Sequence, residues 1–355
     1  MPIGTFARRS GLTPSALRFY ADSGLLRPAE TDPVTGYRHY REAQVPRAAA
    51  LRGLREIGMP LTAVAEVLDA APGEASRLVD AHVARVLGEA AGARRTAAAV
   101  TAALTGASPV PVAVLKGPVL ADAVEQVLTA TATEPGLPVL AGLRVEVAPE
   151  AVTLTATDRY RLSTRTLVPD TSVTSAWAAT LHGDDLRAAA PEVRRSARVR
   201  LEATPHGVWL RLPDREDPYC RVLAEEFPDH RAVLGSLPEA TTRATVRKEA
   251  LLRALEDHPG ERIALRFGSR GVHVLPAGGR REPGGGTGLP AAVTGDALTV
   301  GFSLTTLYPA ASTAVGPDVL LDLRGPDRPV TVRSADRGDL TTLAMPVALP
   351  EPDGA

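Results

Sequence analysis

"TLTATDRYRLSTRTL", residues 153–167, reads as two short strands joined through Asp158-Arg159-Tyr160. Val152, Leu154 and Ala156 alternate with polar neighbours before the turn, which is the period of a half-buried strand. Working outward, residues 115–236 and 237–349 are mainly strand-like. Each region holds two helix-like segments, 118–133 and 182–195 in the first, 247–257 and 303–314 in the second. Two α+β units of about 120 residues predict an internal duplication.

The chain of 355 residues opens differently. In "RRSGLTPSALRFYADSGLL", Gly11 permits a tight turn after a short helix, Thr13 supplies an N-cap oxygen and Pro14 suits the first helical position. Residues 13–21 are predicted helical, with Ala16, Leu17 and Tyr20 on one face. Helix, glycine turn and capped second helix is the plan of a helix-turn-helix. Residues 1–55 carry Arg8, Arg9, Arg18, Arg27, Arg38, Arg41, Arg47, Arg52 and Arg55 against Asp22, Glu30, Asp32 and Glu42. That local excess of +5 contrasts with a total of −1, and Tyr20, Tyr37 and Tyr40 lie in the same stretch. Arginines beside tyrosine hydroxyls suit phosphate contact. A plainer reading is a solvated basic face on a small helical domain.

A turn-rich connector leads to Gly36-Tyr37-Arg38-His39-Tyr40, read as a wing, then to a helix at 43–57 ended by Gly58 and another opened by Pro60. From Val79, the positions Val83, Val86, Ala90, Ala93, Ala97, Val100 and Leu104 recur at gaps of four and three, a heptad seam for a second copy. The alternative is a lone amphipathic helix packed on its own domain. "GASPVPVAV" (106–114) reads as a linker. The expected division is 1–72, a helix over 73–107, a linker at 108–114, units at 115–236 and 237–349, and a tail at 350–355.

Through the recognition-helix pattern, "GYRHY" and "REIGMPL" (55–61), the first 70 or so residues resemble the MerR family of bacterial transcription regulators. The resemblance implies an all-α winged helix-turn-helix with a long dimerisation helix. Such a protein binds double-stranded, pseudo-palindromic promoter DNA as a homodimer and reshapes it for RNA polymerase. Carried over by position, Thr13, Ser15 and Arg18 lie on the recognition helix with Tyr20 beside the backbone, while Tyr37, Arg38 and Tyr40 hold phosphates from the wing.

The opening stretch, with "EEFPDHRAVL" (225–234), "GFSLTTL" (301–307) and "MPVAL" (345–349), resembles the bacterial sliding clamp, the β subunit of DNA polymerase III, in the order of its second and third domains. The resemblance implies two α+β clamp-like domains with a pocket for short peptides between them. Its wall is expected from Leu140, Thr157, Arg159, Tyr160, Arg161, Leu162, Pro228, Val233, Met345, Pro346, Val347 and Leu349, with Thr157 and Arg161 orienting a peptide. The same residues could instead pack a domain junction. Clamps usually have glycine where Arg159 stands and a basic or polar residue where Ala348 stands, and "AGGRREPGGGTG" (277–288) reads as a surface loop.

The clamp's first domain has no counterpart here, and the four helix-like segments sum to −2, through Asp122 and Glu125 in the first of them. A channel so lined would gain little counterion-release free energy from DNA. A ring is therefore not expected. The leading expectation is a regulator whose sensor is a clamp-derived pair of domains. Its ligand would be a clamp-binding peptide, a protein bearing one, or a peptide-like natural product. The alternative is a replication- or repair-associated adaptor that recruits clamp-binding partners without regulating transcription. No enzyme, cofactor or metal is expected, since the histidines are scattered and Cys220 stands alone. The lone cysteine, the lack of a charged-then-apolar leader and the lack of an apolar run of roughly 20 residues point to the cytoplasm and away from membranes.

Overall fold

The computed structural model describes residues 1–106, 108–171, 176–213, 215–277, 286–335 and 338–349. The chain divides into two compact units, Met1–Ala97 and Ala98–Ala355. The glycine-rich stretch 278–285 and the tail 350–355 lie outside the described residues.

The first unit contains α1 (Ile3–Ser10), α2 (Pro14–Asp22), the paired strands β1 (Glu30–Thr31) and β2 (Arg38–His39), α3 (Val45–Glu56), α4 (Leu61–Asp69) and the start of α5 (Pro72–Thr105). Gly11 takes φ +72° to turn α1 into α2. Thr13 then caps α2, its hydroxyl accepting from the Ala16 N–H at 3.1 Å, a contact that contributes about 1 kcal/mol. Phe6, Leu17, Tyr40, Leu51 and Val64 form the core. The first turns of α5 pack on it through Ala75, Leu78 and Val79. His82 accepts from Arg85 at Nδ1 (2.9 Å), so its Nε2–H donates to the Ile57 carbonyl at 3.0 Å. Val79 is thus packed on its own unit, and the bare face of α5 begins at Val83, with Val86, Leu87, Val100 and Leu104 exposed.

The second unit repeats one motif, a strand, a helix and three strands. It runs first as β3 (Val110–Lys116), α6 (Gly117–Leu128), β4 (Gly142–Ala148), β5 (Ala151–Thr157) and β6 (Arg161–Leu167). It recurs as β7 (Trp177–His182), α7 (Gly183–Arg194), β8 (Arg198–Thr204), β9 (Gly207–Arg211) and β10 (Tyr219–Leu223). A short α8 (His230–Gly235), capped by Asp229, leads into β11 (Thr242–Arg247), α9 (Lys248–Glu256), β12 (Arg262–Gly268), β13 (Gly271–Pro276) and β14 (Thr287–Leu289). After β15 (Ala291–Gly295), the last repeat is β16 (Leu298–Ser303), α10 (Leu304–Thr313), β17 (Asp318–Leu323), β18 (Val330–Ser334) and β19 (Leu340–Ala344).

Thirteen strands form one antiparallel succession, β15-β11-β17-β18-β19-β6-β5-β4-β7-β10-β9-β8-β3, and β14-β13-β12-β16 form a second sheet. Helices and strands share two cores, one around Val127, Leu143, Leu154, Val199 and Val208, the other around Leu251, Leu265, Phe302, Leu307 and Leu321. The helix predicted over 118–133 stops at Leu128. Beyond it the Ala132 N–H donates to the Leu140 carbonyl at 2.9 Å, so the chain has left the helical ladder. Arg194 lies outside any basic surface, clasped by Asp122 and by Glu125 at 2.7 Å.

Gly117 starts α6 where a Cβ would stand 2.0 Å from the Ser196 carbonyl oxygen and 2.2 Å from that of Val193. Gly117→Ala is therefore expected to cost about 1–3 kcal/mol or more, read as a lowered urea midpoint. Cys220 is fully buried, and burial, reinforced by Asp185, pushes its thiol well above the usual range. It is expected to resist thiol reagents in the native protein and to react once denaturant unfolds the unit.

Candidate nucleic-acid interface and peptide groove

On α2, Leu17 and Tyr20 point inward, while Ser15, Arg18, Phe19 and Asp22 are exposed at the spacing of one helical stripe. Arg18 makes no ion pair or hydrogen bond with another described residue. Phe19, 54% exposed, was not among the expected contacts. The signal for it was its place four residues beyond Ser15.

The wing is β1 and β2, with Glu30 opposite His39 and Thr31 opposite Arg38. Asp32 closes its tip. Its Oδ1 accepts from the Val34 and Thr35 amides at 2.8 and 2.9 Å, and those backbone bonds hold its carboxyl below the usual range. Tyr37 is exposed at the tip. Arg38 donates to Asp22 at 2.6 Å, tying the wing to the stripe on α2.

One expected DNA contact is corrected. Tyr40 is 1% exposed, stacks on Phe6 at 4.5 Å between ring centroids, and donates its hydroxyl to the Leu17 carbonyl at 3.3 Å. It is a core residue because the strand leaving the wing runs beneath α1 and α2. Tyr20 is 9% exposed and packs its ring with Leu17.

In the second unit the opening hairpin is β5, a turn at 158–160, and β6. Asp158 organises the turn, accepting from the Tyr160 amide at 3.0 Å and the Arg161 amide at 2.6 Å through one oxygen, and from the Arg161 guanidinium at 2.7 and 3.0 Å through the other. Arg159 has φ +73° and is the one non-glycine residue at positive φ among the described residues. The left-handed region costs an L-residue about 1–2 kcal/mol. Its exposed ion pair with Glu134, 2.7 Å long, is worth about 0–1 kcal/mol. The ion pair alone does not offset the strain. The Asp158 bonds and the Met345 amide donating to the Tyr160 carbonyl at 2.8 Å hold the turn.

β6 pairs with β19, so Leu162 lies opposite Leu343 and Arg161 opposite Ala344. This brings the hairpin and the closing segment together at Met345. Leu140 clusters with Val139 and Phe227, next to Pro228, and with Ala132. Tyr160 (60%), Pro228 and Val233 are exposed, whereas Leu140, Thr157, Arg161 and Leu162 are buried. The buried four therefore contribute mainly as packing.

Thr157 and Arg161 do not offer the open donors expected of them. Thr157 donates to the Arg161 carbonyl at 2.7 Å, and Arg161 is occupied by Asp158 and by the Thr129 carbonyl at 2.6 Å, with only its buried Nη1 unpartnered. Met345 and Pro346 are half-buried. Val347 and Leu349 turn away onto β16, the Val347 amide donating to the Gly301 carbonyl at 2.8 Å. There Leu349 lines a separate cavity of about 620 Å³ with His258, Arg262, Pro276 and Ala348. Among the described residues no cluster of three or more histidine, cysteine or acidic groups is placed to hold a metal, and no helix is long and apolar enough to cross a membrane.

Residues 1–71 match the MerR HTH family regulatory protein model, and residues 114–229 match that of the DNA polymerase III β subunit, central domain. The chain is a MerR-type helix-turn-helix joined to sliding-clamp-like domains. An uncharacterised HTH-type transcriptional regulator of Pseudomonas aeruginosa, PA4778, is 43% identical over 68 residues, 19% of this chain and 51% of that protein. The β sliding clamp of Streptomyces coelicolor is 26% identical over 254 residues, 66% of this chain and 65% of the clamp. The chain thus spans about half to two thirds of the length of these relatives. In fold, the P. aeruginosa sliding clamp bound to griselimycin superposes with a TM-score of 0.59 at 17% identity, covering 66% of this chain and 65% of that one.

Tyr40→Phe removes one buried hydrogen bond and is expected to cost about 0.5–1.5 kcal/mol of stability. DNA affinity of the folded protein should be unchanged, which a denaturation curve paired with a gel-shift titration would check.

Proposed function

We propose that this protein is a transcription regulator that binds promoter DNA as a homodimer, and that its clamp-like region senses a peptide-type ligand. The observation that carries the reading is the pairing, in one chain, of an open recognition stripe with clamp-like domains that lack a basic helical lining. Ser15, Arg18 and Phe19 present a cation and an apolar ring to the major groove, where such groups read guanine edges and thymine methyls. Thr13 at the cap, with Tyr37 and Arg38 on the wing, would fix register on the phosphates.

The bare face of α5, from Val83 to Leu104, supports dimerisation with a second copy. That geometry matches a pseudo-palindromic site. The clamp-like region is a poor ring. Its helices carry more acid than base, and Arg194 is neutralised by Asp122 and Glu125. The groove of Leu140, Thr157, Arg159, Tyr160, Arg161, Leu162, Pro228, Val233, Met345 and Pro346 supports the sensing half of the reading, with Tyr160, Pro228 and Val233 as its open surface. A clamp of the same fold binds griselimycin, so a peptide-like natural product of that kind is the ligand class favoured here. Such a ligand would regulate by binding one dimer state better than the other.

Footprinting with the full-length protein on the DNA upstream of its own coding region tests this, with and without griselimycin. One protected palindromic site, lost with Arg18→Ala and altered by the compound, is the expected result. Diffuse protection indifferent to sequence and to the compound would overturn it and favour an adaptor that recruits clamp-binding partners.

A further inference from the structure

We propose that Arg159 and Glu134 form a charged clasp over the groove, which raises the ligand concentration needed to occupy it. The inference rests on the peptide-sensing reading of that groove. Arg159 stands on the hairpin turn, beside the exposed Tyr160. Glu134 stands on the segment after α6, two residues from Ala132. Ala132 packs with Leu140 and Phe227, and its amide donates to the Leu140 carbonyl. The 2.7 Å ion pair therefore ties the two walls of the groove, the hairpin and the Leu140 segment, to each other.

The two anchor points differ in stiffness from the bridge between them. The turn is fixed by both oxygens of Asp158 and by the Met345 amide on the Tyr160 carbonyl. The Leu140 segment is fixed by its buried cluster. The Arg159 and Glu134 side chains are 54% and 35% exposed, so water can take over each charge when the pair parts. The clasp can open by side-chain rotation while the walls stay in place. A ligand reaching the apolar groove must first separate the pair, so its apparent dissociation constant is the intrinsic one divided by the fraction of time the clasp is open.

Arg159 also sits in a backbone conformation that glycine adopts without strain. The strain is tolerated for a side chain with no packing role of its own, and such outliers cluster at ligand clamps. The adjacent Asp158 does not supply a substitute partner, since it is committed to Arg161 and the turn amides.

The test is anisotropy of fluorescently labelled griselimycin on the full-length protein. Arg159→Gly is expected to bind about fivefold more tightly, the upper end for a solvent-exposed ion pair. Glu134→Gln, which keeps the arginine, should fall between that variant and the native protein. Added salt should tighten binding to the native protein and leave Arg159→Gly unmoved. Because glycine relieves the strained turn, Arg159→Gly should melt no lower than the native protein, so a folding defect would show in the same samples. Equal or weaker binding by Arg159→Gly overturns the clasp while leaving the sensing reading intact. Absence of binding by all three proteins overturns both.

Discussion

The second unit hangs on a ladder of five residue pairs, β6 against β19, from Arg165 opposite Leu340 to Arg161 opposite Ala344. It makes one continuous sheet of two repeated halves, and it sets the groove, since Leu162 faces Leu343 and Met345 follows directly onto the hairpin turn. Side chains alternate across a sheet, so a slip of one residue would leave Leu162 and Leu343 on opposite faces. The buried arginines at each end enforce the register. Arg161 is held by Asp158 and the Thr129 carbonyl, and Arg165 by Gln126, so displacing either would strand a guanidinium at a cost of about 3–5 kcal/mol. Ser163 and Thr342 add a buried hydroxyl pair at 3.0 Å in the middle.

Much of the fold was legible because it is written in short-range signals. Thr13, Pro14 and Gly11 bracket α2 as their chemistry requires, and the alternation around Leu154 gives β5. Boundaries were legible only where a glycine or proline marked them. α3 ends before Gly58, which takes φ +75°, but α6 ends within "LTATATEP" where nothing punctuates the helix before Pro135. That end is dictated by Leu140, which takes the Ala132 amide from across the loop. α8 escaped notice because six residues are too few to show a helical period.

The candidate sites divide along the same line. Asp158 and the turn it builds are local and visible, and so is the outward stripe of α2. The burial of Tyr40 depends on Phe6, 34 positions away, and the occupation of Arg161 depends on Thr129. Neither partner can be read from residue type. A tyrosine beside arginines looks like a phosphate contact in the sequence whether its ring faces water or the core. Position matched Arg159 to a turn glycine of clamps, but its tie to Glu134 required the folded loop.

The acidic lining of the clamp-like helices has a consequence for how such a protein would share its time across a chromosome. Each phosphate a protein neutralises strengthens its hold on any duplex, and a genome offers about 10⁶ or more irrelevant stretches of duplex in competition with one operator. With Asp122 and Glu125 closing on Arg194, the larger unit adds no cation surplus along these helices to that general attraction. Those helices would add nothing to the retention on bulk DNA that the nine arginines of residues 1–55 supply. The fraction of molecules found at the correct site then follows base readout by the α2 stripe, undiluted by the mass of protein attached to it.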